Sequence, residues 1–323
     1  MHQSSHTLTP WSALSARREL RAVRTAALAI LALLLSAPPS RANDLKQPTL
    51  DAWDAYVQTV NQTTASRASG SSPFLYVDES PDLLASVRRG GLVVTNQDPR
   101  EVPHGLIHHW VGAMFLPGVT LDQVLSVLDD YGRYGDIYKP LVGKSAVLDR
   151  NGDSFKISVV TVQKAFSVTA AVETDNDVQI VRLDANRVYL VSNASRVAEI
   201  ADYGQPSEHP FPEDRRPGYV WRTVGVTRLE QRDGGVYVEM ETIALSRGIP
   251  VEFRWLIKPL TDSLPRKIMF ETLDDTREAV SRQFSPGPRI PVAMASPQGA
   301  IPVSDSRITN DQQAASGTAA TDP

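Results

Sequence analysis

The sequence predicts an α+β fold: a curved antiparallel sheet wrapped around a long C-terminal helix, with two short helices after the first strand. Three observations predict it. Extended segments with alternating apolar residues fill positions 144–245 and meet at turn chemistry, Asn151-Gly152, Asp175-Asn176-Asp177 and Asp233-Gly234. A helical pattern then closes the order, with Met269, Leu273, Thr276 and Val280 on one face and Asp274, Asp275, Arg277 and Glu278 on the other. Between the first strand and the meander, Thr120 caps a segment in which Leu121, Val124, Leu125 and Leu128 make one face, and a second short helix follows over 134–141. A curved sheet on one amphipathic helix tends to leave a pocket between its concave face and the helix.

The chain has 323 residues, 41% of them hydrophobic, and a formal charge of -4. Residues 1–42 read as an export signal. Arg17, Arg18, Arg21 and Arg24 precede an apolar run over 26–35, and Ser40-Arg41-Ala42 offers small residues at the cleavage positions. The run is shorter than the roughly 20 residues of a membrane span; an uncleaved anchor is the competing reading. Arg17-Arg18 leaves Sec and twin-arginine export both open. The protein is therefore expected in the periplasm or secreted. Without residues 1–42 the chain carries a charge near -8 and no basic run, which argues against nucleic acid as a partner. The sequence has no cysteine, so disulfides, thiolate chemistry and lipid attachment through cysteine are excluded.

Residues 43–104 are expected to form an accessory segment packed on the main domain. Leu50, Trp53, Val57 and Val60 fall at helical spacing over 44–68, with Thr49 as cap, and a short helix (81–89) and a strand (91–95) follow. Residues 105–284 make the main domain. Its strands are expected over 106–116, 144–149, 154–162, 167–173, 178–183, 188–200, 220–231 and 236–245. Its last helix is expected over 251–281, interrupted at Pro259 and Pro265. Residues 285–323, rich in Pro, Ser, Ala and Gly, read as a disordered tail.

Motifs for chemistry are sparse. His108 and His109 are neighbours on a strand and point to opposite faces, so they cannot share one metal, and no third ligand converges on them. Asp149-Arg150-Asn151-Gly152-Asp153 opens like a calcium loop, but Ser154 and Val160 stand where that loop needs Gly and Glu. Neither a metal nor a cofactor is expected. Glu239 and Glu241 share a strand face with Tyr237, while Val238, Met240, Thr242 and Ala244 form the drier face that suits the final helix. The glutamates are accordingly expected to face outward. Buried, at least one would have to titrate abnormally or meet an arginine.

Three stretches carry a family resemblance: GLIHHWVGAMFLPGVTLDQVLSVLDDYGRYGDIYKP (105–140), YVWRTVGVTRLEQRDGGVYVEMETIALSRGIP (219–250) and LPRKIMFETLDDTREAV (264–280). Together with the element order they resemble the helix-grip superfamily called SRPBCC. It comprises START-related lipid-transfer domains, polyketide cyclases, ubiquinone-binding proteins and birch-pollen-allergen-like proteins. The resemblance implies a cavity for a hydrophobic small molecule such as a lipid, quinone or isoprenoid, with transient membrane contact compatible and no protein partner identified. The residues expected to line it are His109 and Val111 on the first strand, Tyr189 and Asn193, then Trp221, Thr223 and Gly225, and Met269 and Leu273 on the helix; Trp221 reads equally well as core. A cyclase- or hydratase-like enzyme in the same cavity is the alternative, with His109, Arg222, Tyr237 and Glu239 as its acid–base candidates. A third reading is an envelope interaction module presenting an apolar patch around Trp53.

Overall fold

The computed structural model describes residues 45–284 except 98, 166–167, 213–219 and 249–253, with the backbone alone for 165, 168 and 254–263. The expected export signal lies outside the described residues, and so does the expected tail.

The N-terminal helix α1, Gln47–Ala68, has Pro48 in its first turn and no side-chain cap. Thr49, expected to cap it, instead donates its hydroxyl to the Pro103 carbonyl at 2.6 Å and ties the helix start to the loop before the main sheet. Helix α2, Pro81–Arg88, is capped by Ser80. Strands β1, Val93–Asn96, and β2, Arg100–Val102, both pair with the long strand β3, Gly105–Pro117. The N-terminal segment thus extends the main sheet as well as packing on it.

Helix α3, Leu121–Leu128, starts with a full capping box between Thr120 and Gln123. The short α4, Tyr134–Ile137, follows a 3-10 turn. Strands β4 (Val142–Asn151), β5 (Ser154–Ala165), β6 (Val168–Arg182), β7 (Arg187–Ala201), β8 (His209–Pro210), β9 (Arg222–Arg232) and β10 (Gly235–Arg247) complete an antiparallel sheet in the order β1-β3-β10-β9-β7-β6-β5-β4. The β9–β10 turn is the expected one: Asp233 and Gly234 both hold positive φ, 55° and 77°.

Residues 175–177 do not turn. They run through the middle of β6, where Asp175 and Glu173 both pair with Arg196 of β7. The register shift beside Asp175 leaves Ser195 as the extra residue of a bulge in β7. Helix α5, Arg254–Phe284, runs 31 residues through Pro259 and Pro265 without interruption.

The concave face of the sheet carries the main core. Met114, Leu190, Leu229, Val236 and Val238 meet Leu121 and Leu125 of α3 and Met269, Leu273 and Val280 of α5. Met269 and Leu273 reach Gly112 so closely that a Cβ there would stand 2.6 Å from Met269 Cγ. The outer face carries a second cluster, in which Trp53 and Val60 of α1 pack with Ile107, Val224, Ile243 and Leu245. The sheet therefore lies between α5 on its concave side and α1 on its outer side. This is the helix-grip architecture, with α1 added behind the sheet.

Candidate functional site

Strand alternation and the register fix which side chains share a face. On the concave side one row runs Trp110, Thr242, Gly225, Ser192 across β3, β10, β9 and β7. The neighbouring row runs His108, Ala244, Thr223. Here the packing opens. Thr242 is exposed, Thr223, Gly225 and Ser192 are half-buried, and a Cβ on Gly225 would meet nothing nearer than 3.8 Å. Trp110 is 6% exposed, and its indole N–H has no partner among the described residues. Four expected lining residues, Thr223, Gly225, Met269 and Leu273, lie on this side.

The other five do not. His109 and Val111 have the opposite parity from Trp110 and point to the outer face; the histidine on the concave side is His108, bonded to Ser246 Oγ at 3.0 Å. Tyr189 pairs across the strands with Arg228, and Asn193 with Val224, on the outer face. Asn193 borders a shallow cavity of about 420 Å³ together with Lys156 and Asp177. Trp221 precedes β9 at a bend, so the alternation does not reach it, and it packs in the outer cluster with Trp53. His109, Arg222, Tyr237 and Glu239, the acid–base candidates, all face outward, on the side of the sheet away from α5.

Glu239 and Glu241 do face away from α5, as expected, but α1 covers them: they are 1% and 8% exposed. Arg228 of β9, itself 1% exposed, joins them. Its guanidinium donates to Glu241 Oε2 at 2.7 Å, Glu239 Oε1 at 3.3 Å and Thr64 Oγ1 of α1 at 2.9 Å. His109 Nε2 lies 2.8 Å from Glu241 Oε1. Since the carboxylate accepts, Nε2 donates to it, and Nδ1 lies 2.8 Å from the Tyr56 hydroxyl. Glu239 Oε2 accepts the Tyr76 backbone N–H at 2.7 Å. Arg67 pairs with Glu79 at 2.6 Å.

Burial pushes the Glu239 carboxyl up to about 7, against the opposing pull of Arg228, Arg67 and the Tyr76 amide. Burial also acts on Glu241, but the His109 hydrogen bond and the Arg228 charge outweigh it and hold that carboxyl well below the usual range. Both carboxyls are thus shifted, in opposite directions, and both meet an arginine, as burial requires. The sequence held the signal, two glutamates at i and i+2 opposite an arginine on the next strand. The helix that buries them is what the alternation pattern could not show.

A cavity of about 240 Å³ lies between this cluster and α1. Trp53, whose apolar surroundings were expected as a docking patch, is instead 5% exposed against the sheet. No group of three or more metal-ligating side chains occurs among the described residues.

No family model and no curated protein matches the chain. Among solved structures it is similar to a protein of Thermus thermophilus, at 17% identity and a TM-score of 0.38 over 54% of this chain and 98% of that one. It is similar to the Zhui aromatase/cyclase from Streptomyces sp. R1128, at 12% identity and a TM-score of 0.38 over 55% and 95%. A third is a STAR-related lipid transfer protein from Xanthomonas axonopodis, at 16% identity and a TM-score of 0.38 over 59% and 98%. The helix-grip assignment stands on this chain's own element and strand order.

Proposed function

We propose that this protein is an exported, non-catalytic binding protein for a hydrophobic small molecule of lipid, quinone or isoprenoid type, held between the concave face and α5. The carrying observation is the open row Thr242–Gly225–Ser192 beside the buried indole N–H of Trp110, which has no partner among the described residues. A buried donor without a partner costs about 1–3 kcal/mol. An apolar molecule that covers Gly225, Ala244 and Met240 and, with a small shift of the indole, offers Trp110 one acceptor oxygen would relieve that cost and bury the face. Pockets of this kind combine mostly apolar walls with a few placed polar groups. Export rests on the composition of residues 17–42, which favours the periplasm or the cell exterior.

The test is titration of the detergent-free protein with a pyrene-labelled acyl probe. The expected result is saturable binding that Gly225→Phe weakens at least tenfold, because the ring fills the open row. Equal binding by both proteins would place the probe elsewhere and remove the reading.

A further inference from the structure

Gly225 lies at the centre of a ring of hydroxyls on the concave face. The register puts Thr242 of β10 and Ser192 of β7 directly beside it, one on each neighbouring strand, roughly 4.8 Å away. Thr223 and Thr227 lie two residues before and after it on β9, on the same face and roughly 6.7 Å along the strand. A Cβ on Gly225 would stand 3.8 Å from the Ser192 Cβ, so the two positions look into one space.

None of the four side chains is buried, and none of their hydroxyls has a hydrogen-bond partner among the described residues. By contrast, Ser154, Ser158, Thr174 and Ser195 each bond across to the next strand. The side chains that frame the ring are uncharged: Trp110 beyond Thr242, Ala244 beside Thr223, and Met240 and Leu190 beside Thr227. Arg222 and Arg228 of β9 point to the other face. His108, the nearest titratable group of these rows among the described residues, stands beyond Ala244 and meets Ser246.

We propose that the polar end of the cargo rests on Gly225 and is a neutral group bearing hydroxyls, a glycerol ester being the simplest case. The inference rests on the reading of the concave face as the cargo site and names the class of cargo. Each Ser or Thr hydroxyl offers one donor and two acceptor positions. A head group that only accepts, such as a quinone carbonyl or a methyl ester, leaves the acceptor positions unused, whereas a glycerol head uses both kinds. A carboxylate or phosphate would leave water here with no counter-charge among the described residues, a cost that a neutral head avoids. Gly225 supplies the room, because a side chain there would fill the space between the four oxygens.

Displacement of the pyrene-labelled acyl probe from the full chain tests this, with 1-monooleoylglycerol, methyl oleate and oleate compared at pH 8, each below the concentration at which it aggregates. The glycerol ester is expected to bind about tenfold more tightly than either of the others, as a pair of neutral hydrogen bonds supplies. The paired variant Thr242→Val, Ser192→Ala removes two hydroxyls at positions that are not buried, and its urea midpoint reports that the fold is kept. It should bring the glycerol ester to the affinity of the methyl ester. Either of the other two lipids binding as tightly as the glycerol ester, or a preference that survives the paired variant, would overturn the proposal while leaving the concave cargo site in place. A wild-type protein that does not bind the probe at all would remove that site, and this inference with it.

Discussion

Glu239 and Glu241 are two residues apart on one strand, share one arginine, and are driven in opposite directions. Glu239 is raised to about 7, so its share of folding stability is complete below the ordinary carboxylate range near 4.5 and is lost as pH rises towards 7. Glu241 is depressed, so its share is complete above that range and does not change between pH 5 and 7.5. Across that window the Glu239 contribution falls by about 2 kcal/mol, at 1.36 kcal/mol per pKa unit. Glu239→Gln keeps an acceptor for the Tyr76 amide and removes the titration. Urea unfolding at pH 5, 6 and 7.5 should therefore show a decline in the wild type that the variant largely lacks; parallel profiles would place the titrating group elsewhere.

Two glycines on one face of the sheet make the element-scale argument. Gly112 of β3 is pressed by α5, with Leu273 Cδ1 2.8 Å from a virtual Cβ, whereas Gly225 of β9 has open space. Gly112→Ala should cost about 1–3 kcal/mol through overpacking. Gly225→Ala should be neutral or stabilising by roughly 0.5–1 kcal/mol through reduced backbone freedom. Denaturant midpoints of the two variants check both, and equal losses would mean that α5 covers both sites alike.

At this scale much was legible in the sequence. The caps at Thr120 and the Asp233-Gly234 turn are set by local chemistry, and the drier face of β10 was readable from alternation. The inward histidine was not readable. Alternation says that His108 and His109 diverge, but which one faces α5 depends on the pairing with β10, a long-range fact. Trp221 failed because it precedes its strand at a bend. Residues 175–177 failed because Asp and Asn favour turns locally, while the Arg196 pairing and the Ser195 bulge keep the chain extended.

At the scale of the whole molecule the sheet separates two environments. α5 and α3 close the apolar side, and α1 closes the polar side, held by Trp53, by the Thr64 bond to Arg228 and by the Thr49 tie to Pro103. α1 is thus a brace behind the sheet and does not cover the concave face. Trp53→Ala should cost about 3–5 kcal/mol as a buried aromatic truncation and leave the release rate of the acyl probe unchanged. Faster release, measured by stopped-flow displacement, would instead make α1 a lid.

The most direct test of the central claim, an apolar cargo between sheet and α5, is native mass spectrometry of the protein purified without detergent from its own cells. The account predicts a bound hydrophobic mass that survives gentle ionisation, disappears on denaturation and is missing from Gly225→Phe. A wild-type protein that carries no such mass and takes none from an added lipid extract would contradict it.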